Sequence, residues 1–67
     1  MGKIRLGSTC ITEVEKCFEY ENRKCVISKG TYVTVCDNDN VSSGYVLVEI
    51  EGYDTVFDYM LSELVLA

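Results

Sequence analysis

The sequence predicts one small all-β domain, and three observations carry that expectation. Apolar and polar residues alternate in several short runs, the period at which successive side chains of a strand point to opposite faces. No stretch of useful length repeats every 3.6 residues, as an amphipathic helix requires. Glycines at Gly7, Gly30, Gly44 and Gly52, with polar clusters at residues 21–23 and 37–40, punctuate the chain at strand-length intervals.

Length and composition agree. The 67 residues have room for one domain, near the lower limit at which an apolar core alone sustains a fold. Hydrophobic residues make up 48% and charged residues 25% of the chain, enough for a compact core and unlike a disordered tail. With no repeat, low-complexity tract or linker, residues 1–67 are read as a single unit. The uncharged run that includes residues 41–48 is far below the ~20 residues that span a bilayer. Ser8, Thr9, Thr12 and Glu13 interrupt the N-terminus before it reaches the apolar length of a secretory signal. A cytoplasmic protein without a membrane segment is expected.

The strand-length pieces are residues 3–6, 12–20, 24–28, 31–36, 45–51, 55–59 and 64–66. If residues 12–21 form one continuous strand, Glu13, Glu15, Cys17, Glu19 and Glu21 share a face opposite Val14, Lys16, Phe18 and Tyr20. In the fourth piece Val33 and Val35 take the inward side, opposite Tyr32, Thr34 and Cys36. In the fifth, Val46, Val48 and Ile50 share one face, and Tyr45, Leu47, Glu49 and Glu51 share the other, which the glutamates mark as wet. Met60-Leu61-Ser62-Glu63 is too short for an α-helix and suits one 3₁₀ turn before the last strand.

From Lys16 onward this order resembles an SH3 domain. Ser28-Lys29-Gly30-Thr31-Tyr32-Val33-Thr34-Val35 is similar to the turn and strand that follow the first long loop of that family. Gly44-Tyr45-Val46-Leu47-Val48-Glu49-Ile50-Glu51-Gly52 resembles its central strand and tight distal turn, and Leu61-Ser62-Glu63-Leu64-Val65-Leu66-Ala67 its 3₁₀ turn and closing strand. The resemblance implies a small SH3-like barrel of five to seven short antiparallel strands, a type common among small phage-encoded proteins. Residues 1–15 lie outside it and are expected to add one or two strands covering an edge. The departures matter too. A polyproline groove in this family is lined by a tryptophan, with a proline and a tyrosine near the 3₁₀ turn, and this chain contains neither tryptophan nor proline. Tyr45 stands in the tryptophan's place, but Leu61-Ser62-Glu63 supplies no ring, so a proline-rich ligand is not expected.

Little in the sequence supports catalysis or a cofactor. Cys10, Cys17, Cys25 and Cys36 are separated by six, seven and ten residues, with no histidine anywhere. Structural zinc sites usually draw ligands in close pairs, and a cytosolic setting disfavours disulfides. The cysteines are therefore read as small apolar residues in or near the core, with zinc and oxidised pairing as alternatives. Without histidine, a nucleophilic serine or cysteine lacks its usual base. Glu49 and Glu51, about 6.6 Å apart on one strand face, read as solvated acids. No metal, cofactor or catalytic residue is assigned.

Eleven acidic against six basic residues give a formal charge of −5, which disfavours contact with nucleic-acid phosphates. The expectation is a non-enzymatic protein-binding module, a small acidic inhibitor or accessory factor acting on a basic or nucleic-acid-binding protein surface. Its candidate contacts are the acids Glu13, Glu15, Glu19, Glu49 and Glu51 and the tyrosines Tyr20, Tyr45 and Tyr53, because tyrosine anchors interfaces well. Two alternatives stand beside it. One is a nucleic-acid-binding barrel using Lys3, Arg5, Arg23, Lys24 and Lys29; the other is a structural subunit of an oligomer, paired through a strand edge. The acids equally suit simple solubility or an edge strand kept charged against aggregation.

Overall fold

The computed structural model of the chain describes residues 4–67. Seven short antiparallel strands make up the fold: β1 (Thr9–Thr12), β2 (Lys16–Tyr20), β3 (Arg23–Ile27), β4 (Tyr32–Asp37), β5 (Tyr45–Glu49), β6 (Val56–Met60) and β7 (Leu64–Leu66). They form a five-stranded sheet ordered β6-β5-β4-β1-β7 and a separate β2-β3 hairpin. As the sequence predicts, a 3₁₀ turn, Leu61–Glu63, leads straight into the last strand. A second 3₁₀ turn at Val41–Ser43, which sequence reading does not anticipate, joins β4 to β5. Among the described residues no helix is long and apolar enough to cross a membrane.

The core lies between the inner face of the large sheet and the hairpin. Val33, Val35, Val46, Val48, Phe57, Tyr59 and Leu64 come from the sheet, Ile27 from β3, and Phe18 and Cys25 pack against them from the hairpin. The inward valines of β4 and β5 follow the predicted alternation, and Ile50 continues it past the end of β5. Gly44 and Gly52 close the two turns flanking β5 with φ of +92° and +94°, a conformation costly for a residue with a Cβ.

Three expectations are corrected. The first predicted strand, at residues 3–6, is absent over its described part: Leu6 and Gly7 form a turn, and Lys3 lies outside the described residues. The N-terminal strand is instead β1, which covers no edge; it sits between β4 and β7, paired to both. Its inward residues are Cys10 and Thr12 while Ile11 faces outward, so apolarity alone points the alternation the wrong way.

The predicted strand 12–20 is also broken, by a bend at Glu13 and Val14. Thr12 is buried, its hydroxyl donating to the Ser28 carbonyl and accepting from the Thr31 N–H, while the Glu13 N–H turns to the Glu63 carbonyl. These bonds end β1. The bend lets β2 leave the large sheet and cross the open face of the core, which one continuous strand would leave uncovered.

The third correction concerns cysteine. Cys10 is buried and Cys25 and Cys36 are half-buried, but Cys17 is exposed on the outward face of the hairpin beside Val26. Strand parity decides this: the hairpin buries Phe18 and Cys25, and their neighbours must point away.

Candidate functional site

Two surfaces gather the residues singled out by the sequence. The first is the seam where the hairpin meets the large sheet. Glu21 and Asn22 both adopt positive φ, 51° and 61°, the backbone of a two-residue hairpin turn whose twist matches its strands. That turn sets Phe18 and Cys25 opposite each other on the inner side and Glu19 opposite Lys24 on the outer side.

Phe18 then packs on Phe57 and Tyr59, with ring centres 4.7 and 5.6 Å apart. Tyr53 meets Phe57 at 5.4 Å and Tyr20 at 5.2 Å, edge to face. Such pairs add about 0.5–1.5 kcal/mol each beyond burial, so the chain of rings holds the hairpin down.

Polar contacts finish the seam. The Tyr20 hydroxyl bonds the Asp54 carboxylate, and that bond keeps the phenol above its usual range. The Cys25 thiol donates to the Tyr53 hydroxyl at 2.9 Å, and the Tyr53 phenol is raised through the same bond. At the other end the Lys16 ammonium donates to the Glu63 carboxylate and to the Asp58 carbonyl, both at 3.1 Å. It also lies 4.7 Å from the centre of the Tyr59 ring. Lys16 thereby caps the outer edge of β6, a position otherwise open to another strand. Tyr59 is fully buried; its hydroxyl has no partner among the described residues, and burial pushes its pKa up to about 12.

Tyr20 and Tyr53 are thus half-buried and engaged within the molecule. The acids of residues 13–21 do not lie along one continuous strand. Glu13 lies in the bend and Glu15 between the bend and β2, Glu19 stands on β2 opposite Lys24, Glu21 is in the turn, and Glu51 follows β5 in another turn.

The second surface is the outer face of the five-stranded sheet. Register places Tyr32, Ile11 and Val65 in one row across β4, β1 and β7. Tyr45 pairs with Met60, Leu47 with Asp58, and Glu49 with both Val56 and Thr34. A bulge at Cys36 shifts the β4–β5 register so that Asp37 also comes opposite Leu47. The Cys36 thiol donates to the Leu47 carbonyl at 3.5 Å. Its pKa is raised, first by burial and then by Glu49 and Asp37 nearby.

Of the sequence candidates, Tyr45 and Glu49 belong to this face. Ile11, Tyr32, Leu47, Val56, Met60 and Val65 were not among them. The alternation within 45–51 does place Tyr45, Leu47 and Glu49 together, but the row through Ile11 depends on pairings between residues far apart in the chain. Comparison with protein-family models, with curated proteins and with solved structures finds nothing that matches this chain.

Proposed function

We propose that the chain is a non-enzymatic protein-binding module of SH3-like type whose docking surface is the outer face of the five-stranded sheet. One observation carries the reading. Tyr32, Val56, Met60 and Val65 are 64%, 45%, 45% and 39% exposed on that face, where an antiparallel sheet with one solvated side ordinarily shows polar residues. Thr34, Asp37, Glu49 and Asp58 stand among them, and exposed apolar side chains interspersed with polar ones in this way are the composition of a protein-binding surface.

Strand spacing gives the face a projected area on the order of 350 Å², from about five strands of ~4.8 Å spacing and ~15 Å length. That whole-face area is below the ~800 Å² per partner of a standard stable interface. The partner therefore also wraps an edge of the sheet, or the complex is transient. The SH3-like reading is supported by the succession β4, β5, β6, a 3₁₀ turn, and a last strand returning to β1.

The test compares wild-type protein with a Tyr32→Ser, Val65→Thr variant and a Val56→Thr, Met60→Gln variant as baits in cells of its native source. Exposed substitutions of this kind typically change stability by only about 0.5 kcal/mol, and circular dichroism checks that they fold. Loss of a specific partner with both variants is expected. Retention of that partner, together with its loss from a Glu13→Lys, Glu15→Lys, Glu19→Lys bait, would return binding to the acidic bend and hairpin. Retardation of single-stranded DNA or RNA at low salt would favour the nucleic-acid alternative.

A further inference from the structure

The apolar face also carries a one-sided charge. Leu47, half-buried at its middle, has Asp58 across from it on β6 and Asp37 across from it on β4, at the ~5 Å spacing of cross-strand neighbours. Glu49 stands two residues further along β5 on the same side, about 6.7 Å away. One oxygen of Asp37 accepts the Asp39 N–H; Glu49 and Asp58 are exposed. Among the described residues no ion pair joins any of these carboxylates to a lysine or arginine. None of the five strands of the sheet contains a lysine or arginine; Lys16, Arg23, Lys24 and Lys29 belong to the hairpin and the turn after it, and Arg5 stands before β1 in the segment whose Gly7 N–H bonds the Val35 carbonyl.

This asymmetry selects the occupant. A second copy laid face to face would bring three carboxylates against three more with no lysine or arginine of either sheet's strands between them, and like charges across an interface are strongly disfavoured. A cationic side chain has the opposite fit. The stem of an arginine or lysine covers an apolar surface while its head stays among polar groups, and an arginine fork matches carboxylates in paired hydrogen bonds.

Resting on the reading of this face as the docking surface, we infer that its partner is a basic protein segment. That segment lays an arginine or lysine stem over Leu47, with its cationic head among Asp37, Glu49 and Asp58. Apolar side chains flanking that cation cover Tyr45 and Met60 on one side and the Tyr32–Ile11–Val65 row on the other.

The experiment titrates the isotope-labelled full chain with a synthetic peptide of alternating valine and arginine, and separately with the same peptide carrying glutamate for arginine, following amide resonances by NMR. Shifts centred on Leu47, Asp37, Glu49 and Asp58 with the arginine peptide alone are expected. Binding should weaken by about tenfold or more in the exposed-site double variant Glu49→Gln, Asp58→Asn. It should weaken similarly near 0.5 M salt, where the screening length falls to ~4 Å.

Equal binding of the two peptides at this face overturns the basic-partner inference and leaves the apolar docking surface standing. Shifts confined to Glu13, Glu15 and Glu19 overturn both. Absence of any shift with the arginine peptide at millimolar concentration and low salt overturns the inference, and the bait comparison above then decides the docking surface separately.

Discussion

Replacing Thr12 by valine keeps the shape of a buried side chain and removes only its hydroxyl. Thr12 is 1% exposed and is the one buried polar residue among those described. Its Oγ1 donates to the Ser28 carbonyl at 3.0 Å and accepts the Thr31 N–H at 3.0 Å. After substitution the Ser28 carbonyl still holds the Thr31 hydroxyl, at 2.6 Å, so the group left without its partner is the Thr31 N–H. Two hydrogen bonds at ~0.5–1.5 kcal/mol net each, with a desolvated amide left behind, amount to about 2–3 kcal/mol.

A domain of this length has on the order of 3–10 kcal/mol in all, so the loss is severe. It should lower Tm by roughly 10 °C or more. Thr12→Ser is the control, because it keeps the hydroxyl and removes one methyl, costing about 1 kcal/mol. Urea unfolding followed by tyrosine fluorescence should rank wild type above Thr12→Ser and Thr12→Ser above Thr12→Val, with m unchanged. A valine variant as stable as the serine one would show that the hydroxyl does not anchor the β3–β4 turn to β1.

Two further outcomes test the seam. Glu21 occupies a left-handed position that asparagine and glycine fill at lower cost; Glu21→Asn with Asn22→Gly should stabilise the fold by about 0.5–1 kcal/mol, and a loss in urea midpoint would contradict the turn geometry. Desolvation pushes the Glu63 carboxyl up, but its bonds to the Met60 N–H and to Lys16 outweigh this and hold it below its ordinary 4.5. A depressed carboxylate contributes stability that is fully present above that ordinary value and is lost as pH falls through the lower folded value. The acid limb of stability below pH 4.5 should therefore flatten in Lys16→Met, and identical pH slopes for the two proteins would refute the linkage.

What the sequence determined is local. The alternating valines at Val33, Val35, Val46 and Val48, the glycine-marked turns around β5, the 3₁₀ turn at Leu61–Glu63 and the strand Leu64–Leu66 follow from a period of two and from turn chemistry over a few residues. The placement of Tyr45, Leu47 and Glu49 on one side of β5 was legible in the same way. Tertiary structure decided the rest. Thr12 faces the core because a hydroxyl can be buried when Ser28 and Thr31, distant in the chain, satisfy it. The run from Thr12 to Tyr20 breaks because the inner face of the large sheet needs a cover. Tyr20 and Tyr53 are engaged within the molecule because the hairpin folds down onto β6 and the turn preceding it. The outer face exists as a surface only because β1 enters between β4 and β7, and the bulge at Cys36 brings Asp37 opposite Leu47. Which way a side chain points within a strand is set by its neighbours; which strand lies beside it, and which face is covered, is set by burial and hydrogen bonding summed over the whole chain.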